Sequence, residues 1–327
     1  MRAQSLVHLV WLILAALAPM LACGQSYPAR SVRLIVPLTP GGINDIMARA
    51  ISQRLADTLG QPFVVENRPG GNSIIGAEAV AKSAPDGYTL LFTPGGPIVD
   101  NPFLYDRLSY DPQKDFMPVA MCCMIAQAIV IHPSVAAASL KELIALARSR
   151  PGKLTYASTG GSASNSHINM EAFRHLADID VLHVPYKGSA QAITDLVAGR
   201  VSMMVVTFGV VQDQLRAGKL KALAVGAARR SAMFPEVPTV AEAGVSGYDA
   251  SGWTGVFAPR GTAAAIVAKL NAEIRAVVGD PQFSRQWAVK LGIDPPVVST
   301  PEQFAAFILS DMKRAERLIR MSGAKAD

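Results

Sequence analysis

The chain is poor in cysteine and in charge. Three cysteines stand among 327 residues. Cys23 belongs to the N-terminal leader or its edge, which leaves the adjacent pair Cys122-Cys123 in an apolar run. Neighbours on a strand point to opposite faces, so this pair is badly placed to bridge and reads as two small apolar side chains. Charged residues make up 17% of the chain, and the net charge of +6 is scattered without a block of like sign. A protein that tracks nucleic acid would show clustered Lys and Arg with interleaved aromatics, so no nucleic-acid partner is expected; small anions suit the charge better. Catalytic and nucleotide signatures are missing as well. There is no G-x-x-x-x-G-K-[ST], no G-x-G-x-x-G, no H-E-x-x-H and no G-x-S-x-G. The S-x-x-K spacings, Ser310–Lys313 and Ser322–Lys325, sit in the C-terminal amphipathic segment. None of His132, His167, His175 and His183 has metal-ligand spacing. No metal, no cofactor and no enzymatic activity are therefore expected.

Half of the residues are hydrophobic, which excludes disorder, and the length suits two domains. The N-terminus carries a targeting signal. Arg2 supplies a positive start, Leu6 to Ala18 an apolar core too short for a membrane span, and Pro19 a break before the small residues of LACGQ. Cleavage after Gly24 is favoured over a lipid anchor at Cys23, because Leu21 fits a lipoprotein box poorly. Either ending places the mature chain outside the cytoplasm.

Beyond the leader, short apolar runs alternate with helical patterns. VRLIVP, YTLLFT, AIVIHP, KLTYAS, DVLHVPY, VSMMVV and LKALAVGA read as strands, and their near-continuous hydrophobicity suggests parallel sheets buried on both faces. Helix starts are legible at Ser139 to Glu142, Thr239 to Glu242 and Thr300 to Gln303, each an S/T-x-x-E/Q signature. The fold class is α/β.

Two strand–glycine loop–helix units stand out. In RLIVPLTPGGINDIMARAI, the loop Thr39-Pro40-Gly41-Gly42-Ile43-Asn44-Asp45 aims backbone N–H groups and a helix N-terminus at an anion. Lacking the phosphate-loop lysine, it is better equipped for a carboxylate. The second loop, Ser158-Thr159-Gly160-Gly161-Ser162-Ala163-Ser164-Asn165, is dense in hydroxyls, and Ser164 or Asn165 caps the helix that follows. Taken alone, each loop is also readable as a plain turn, the first more so than the second.

Long collinear blocks carry a family resemblance. They include YPARSVRLIVPLTPGGINDIMAR, LGQPFVVENRPGGNSIIGAEAVAKSAPDGYTLL, PSVAAASLKELIALARSRPGKLTYASTG, VLHVPYKGSAQAITDLVAGRV, FPEVPTVAEAG and the terminal SGAKAD. The chain resembles the Bug family of periplasmic solute receptors, the extracytoplasmic binding components of tripartite tricarboxylate transporters. The resemblance implies a two-domain periplasmic-binding-protein clamshell, each domain a mostly parallel sheet flanked by helices. A signal peptide would span 1–24, a discontinuous first domain 25–124 plus 235–327, and a second domain 125–234. It implies a monomer that holds a carboxylate in the cleft for the membrane subunits of such a transporter. The two loops above, with Thr93 and Gly95 in the loop after YTLLF, and Thr207, would face that ligand; Tyr186-Lys187-Gly188 matches a block near the hinge.

Three departures from the family pattern bear on the ligand. Ile43 and Asn44 replace a glycine and a small polar residue. Val206-Thr207 replaces an Asp followed by Asn or Ser, and Thr93 to Pro97 replaces a stretch richer in Thr and His. Together they point from amino acids toward a carboxylate with an apolar body. Two rivals use the same cleft: an adaptor for a membrane sensor kinase, and a secreted hydrolase relying on Ser164 or His167.

Overall fold

The computed structural model describes residues 27–159, 164–298 and 300–325. The leader with Cys23, together with Gly160 and Gly161, lies outside the described residues. The chain begins with β1 (Val32–Val36), α1 (Ile43–Leu59), β2 (Phe63–Asn67), α2 (Ile74–Ala81), β3 (Thr89–Pro94), α3 (Gly96–Val99), α4 (Asn101–Leu104) and β4 (Phe116–Ile125). It continues as β5 (Gln127–Ile131), α5 (Leu140–Ser149), β6 (Thr155–Thr159), α6 (Asn165–Ala177), β7 (Leu182–Tyr186), α7 (Ser189–Val197), β8 (Met203–Thr207), α8 (Phe208–Arg216) and β9 (Lys221–Val225). It ends in β10 (Gly252–Pro259), α9 (Ala264–Gly279), α10 (Pro281–Leu291), β11 (Ile293–Asp294) and α11 (Pro301–Ser322).

Two sheets result. The first has the order β11-β4-β10-β3-β1-β2 and the second the order β7-β6-β8-β5-β9. All seven apolar runs are strands, yet the sheets are mixed rather than purely parallel. β1 pairs parallel with β2 and β3, and β6 with β7 and β8. β10, however, runs antiparallel to β3 and β4, and β5 antiparallel to β8 and β9. The reason is geometric. Only Ala126 separates β4 from β5, so the chain enters the second sheet directly at the junction. A strand that starts at the junction must run away from it, against those that end there.

Residues 239–244 form turns, not the helix their capping signature suggests: Thr239 and Glu242 exchange backbone-to-side-chain bonds of 2.7 and 3.0 Å, but Gly244 at φ +99 ends the segment. The return crossing also falls later than 235. Val240, Val245, Tyr248 and Ala250 pack beneath the second sheet with Tyr156 and Phe173, and the chain rejoins the first sheet only at β10.

Helix α11 ties the two units together. A complete capping box at Thr300 and Gln303, with Pro301 in the first turn, starts it. Phe304, Ile308 and Met312 pack under the first sheet, whereas Leu318 and Ile319 pack into the cluster under the second. Gly255 in β10 admits the Phe304 ring, because a Cβ there would lie 2.7 Å from its Cε1 and closer still to its Cζ. Fully buried Trp253 donates its indole N–H to Asp311 at 2.6 Å, joining the same helix to β10.

Candidate functional site

The loops singled out in the sequence all leave carboxyl ends of strands, where open α/β sheets place their ligands. β1 and β3 are neighbours in one sheet, and β6 and β8 in the other, so each unit presents two such loops side by side.

In the first loop Thr39, Pro40, Gly41 and Gly42 are exposed, and Ile43 and Asn44 half-buried. Gly42 is the N-cap of α1 and supplies no side-chain cap, so the first-turn amides keep donors to offer. Gly41 is needed for its φ of +86 rather than for space, since a Cβ there meets nothing within 4 Å. Asp45 is buried and turned inward: its carboxylate takes the Gly41 N–H at 2.9 Å and pairs with Arg49. Burial alone would raise its pKa, but the bonds from Arg49, Gly41 and Asn67 hold it below the usual carboxylate value. Asp45 thus shapes the turn and spends one of its amides. Asn44 accepts a 2.7 Å bond from Thr254, and Ile43 packs against the first-sheet core, so neither is simply a cleft wall.

The third loop lies deeper than the sequence suggests. Thr93 is fully buried and bonds its own neighbour's carbonyl, that of Pro94. Gly95 donates to the Trp253 carbonyl at 3.1 Å, and a Cβ on it would lie 2.8 Å from the indole. Gly95 thus seats the loop on Trp253, and Thr93 bonds within the loop.

In the second loop the hydroxyls mostly serve the loop itself. Ser158 is completely buried and lies 2.6 Å from His183 Nε2. Ser166 Oγ accepts the Thr159 N–H at 2.8 Å, and Ser164 caps α6 through the His167 N–H. Beneath them sits a network that spacing could not foretell. The rings of His167 and His183 lie 4.3 Å apart, and Tyr156 bridges His167 to Glu171, which pairs with Arg174. Burial holds both histidines below their ordinary pKa, and for His183 the charge of His167 adds to this. Thr207 is the N-cap of α8, again without a side-chain cap.

The two units meet where these loops end. Asp100, four residues beyond Gly96, receives the amide of Asn165 at the start of α6. Around that junction Gln127, Asn169, Ser251 and Arg314 line a small polar cavity, and Asn169 donates to Gln127 at 3.0 Å. Burial pushes the Asp100 carboxyl up to about 6, against the pull of nearby Arg314. On the other side Gly209 in α8 abuts Leu291 and Gly292 at the end of α10. The sequence held one usable hint, the position of Asp100 just past a singled-out loop. Among the described residues, no group of three or more His, Cys, Asp or Glu side chains could hold a metal ion, and no helix is long and apolar enough to cross a membrane.

Two α/β units joined by short crossings, with strand-end loops on both, define a solute receptor of the periplasmic-binding class. Residues 47–324 match the model of the tripartite tricarboxylate transporter family receptors (TctC), and the chain belongs to this family. It is 37% identical to BugT of Bordetella pertussis over 302 residues, covering 92% of each chain. It is also 38% identical, over 90% of its length and 87% of the relative's, to a UPF0065 protein from the tcbD-tcbE intergenic region of Pseudomonas sp. strain P51. Among solved structures, R. palustris Rpa4515 with adipate superposes with a TM-score of 0.79 at 34% identity, covering 92% of this chain and all of that one. MatC from Rhodopseudomonas palustris with bound malate gives 0.74 at 34% identity, covering 90% of this chain and all of that one.

Proposed function

We propose that this receptor captures a small organic carboxylate between its two lobes and presents the closed form to the membrane subunits of a tripartite transporter. One observation carries the reading: α1 in one lobe and α8 in the other both begin without a side-chain cap, at the carboxyl ends of strands. Two helix N-termini can grip one anion from two sides, and only when the lobes are together, through first-turn amides other than that of Phe208, which is given to the Ala126 carbonyl at 3.2 Å. The adipate and malate held by two family members support that class of ligand. In this account Thr39 to Asn44, Thr207 and Asn165 frame the ligand, Ser158, Thr93, Gly95 and Asp45 hold the frame, and Gly160 and Gly161 complete the second loop. The crossings near Ala126 and Ser251 serve as the hinge, the leader directs export to the periplasm, and the receptor acts without turnover. Among the described residues, the serine side chain that meets a histidine ring beside the second loop, Ser158 against His183 of β7, is completely buried, which favours holding over hydrolysis.

A thermal-shift screen of mono-, di- and tricarboxylates tests this, because a ligand of the folded state raises the melting temperature by mass action. At least one carboxylate should stabilise the wild type and lose its effect in Gly41→Val, whose side chain cannot adopt φ +86 without strain. Equal stabilisation of a folded Gly41→Val variant would refute the role of the first loop.

A further inference from the structure

A cavity of about 780 Å³ lies apart from the four loops. Its walls are the segment after β9, the segment after β11, and the face of α11 from Phe307 to Arg317, with Met124 at the end of β4. Its size falls within the range of small-ligand sites, roughly 300–1,000 Å³.

Four arginines line it, and they differ in how their donors are spent. Arg230 pairs with Glu242 and also donates to the Pro235 carbonyl. Arg314 is bound to Asp311 and to the carbonyl of Asp249. Arg317 gives one bond, from Nη2 to the Gly247 carbonyl at 2.9 Å, and keeps the rest of its fork. Arg229 is exposed and makes no hydrogen bond or ion pair with any described residue. Among the acids of the cavity, Asp294 has its carboxyl pKa raised by burial and lies close enough to feel the Arg229 charge, which pulls against that rise, but no hydrogen bond joins the two. Asp311 is held by Arg314 and Trp253, and Asp294 accepts from the Ala232 amide and lies 3.5 Å from the Ser231 hydroxyl. Beside the free Arg229 guanidinium and the partly engaged one of Arg317 stand half-buried Phe307 and exposed Val297, with Pro295 and Pro296 following the strand end. A fork of charged donors next to an apolar wall matches an anionic head on an apolar body.

We propose that this cavity is a second binding site, for an organic acid whose carboxylate pairs with Arg229 and Arg317 while its apolar body lies on Phe307 and Val297. Both crossings between the lobes contribute to the walls, through Met124 on one and residues 227–251 on the other. An occupant therefore favours one lobe angle and changes affinity in the cleft, and the cleft ligand changes affinity here by the same factor.

The test is ¹⁹F NMR titration of the mature chain with 4-fluorobenzoate, with neutral 4-fluorobenzamide as the control. Saturable binding of the acid but not the amide is expected at millimolar concentration. Arg229→Ala should weaken it about tenfold or more, as loss of a charge-assisted contact does, and Arg317→Ala should weaken it less. Gly41→Val should leave it unchanged. Cleft binding of the same acid is removed by working in the Gly41→Val chain: binding there that survives added Arg229→Ala overturns the proposal, and so does a Gly41→Val chain that fails to bind the acid. Because Gly41→Val reports on the cleft and Arg229→Ala on this cavity, failure here is distinguishable from failure of the cleft reading.

Discussion

At Gly209 the two lobes approach backbone to backbone. A Cβ placed there would sit 2.6 Å from the carbonyl carbon of Leu291 and closer still to its oxygen, and Gly292 crowds the same spot. The obstacle is main chain at a helix end, so no rotamer change relieves it. To reach ordinary contact at 3.4 Å from that oxygen, the α8 and α10 ends must part by about 1.5 Å. Overpacking of this kind costs about 1–3 kcal/mol, equivalent to a change of about 5- to 150-fold in an equilibrium. Gly209→Ala should therefore lower the melting temperature and weaken carboxylate binding within that range, both read by calorimetry on one preparation. Gly279→Ala is the control, since a Cβ at that position meets nothing within 4 Å. If Gly209→Ala matches the wild type in stability and in affinity, the lobes do not rest on this contact and the reasoning fails.

Two pH predictions have opposite signs. His167 and His183 lie below their ordinary value of 6.5 when folded, so the unfolded chain takes up protons first. Their contribution is complete above about pH 6.5 and is lost on acidification. His183→Gln should flatten that slope in chemical denaturation, and an unaltered slope would show the stacked pair to be silent. Asp100 behaves conversely, because its folded value of about 6 lies above the ordinary 3.8. Its ionisation opposes folding above pH 6, an effect absent below pH 3.8. Asp100→Asn should stabilise the protein at neutral pH by at most about 3 kcal/mol, and a variant no more stable at pH 7 than at pH 4, relative to wild type, would contradict this.

Much of the architecture is legible in the sequence because burial on both sheet faces leaves uninterrupted apolar runs. β1, β3, β5, β6, β8 and β9 show themselves in this way, whereas the edge strand β7 carries an apolar run without that burial. β10 does not, since its GWTGVFAP is shaped by what it must accommodate: Gly255 yields to Phe304, and Trp253 needs Asp311 from the last helix. The direction of β5 and β10 depends on where the chain changes lobes, which no local pattern records. At the candidate site the loops are legible but the work of their side chains is not. A serine that faces a ligand and one that satisfies its own loop look alike in a sequence, and here Ser158, Ser164 and Ser166 are engaged locally. Asp45 likewise combines the look of a cleft acid with the geometry of a turn brace. Asp100, Asn165 and Arg314 come together only through the packing of three separate segments.

The central claim is that amides from both lobes hold one carboxylate. Amide hydrogen exchange, with and without the carboxylate giving the largest thermal shift, tests it most directly. Slowed exchange is expected at Gly42, Ile43 and Asn44 in one lobe and at Gly209 and Val210 in the other, with Phe208, already bonded to the Ala126 carbonyl, unchanged. Slowing confined to a single lobe, or absent from both helix starts, would contradict it.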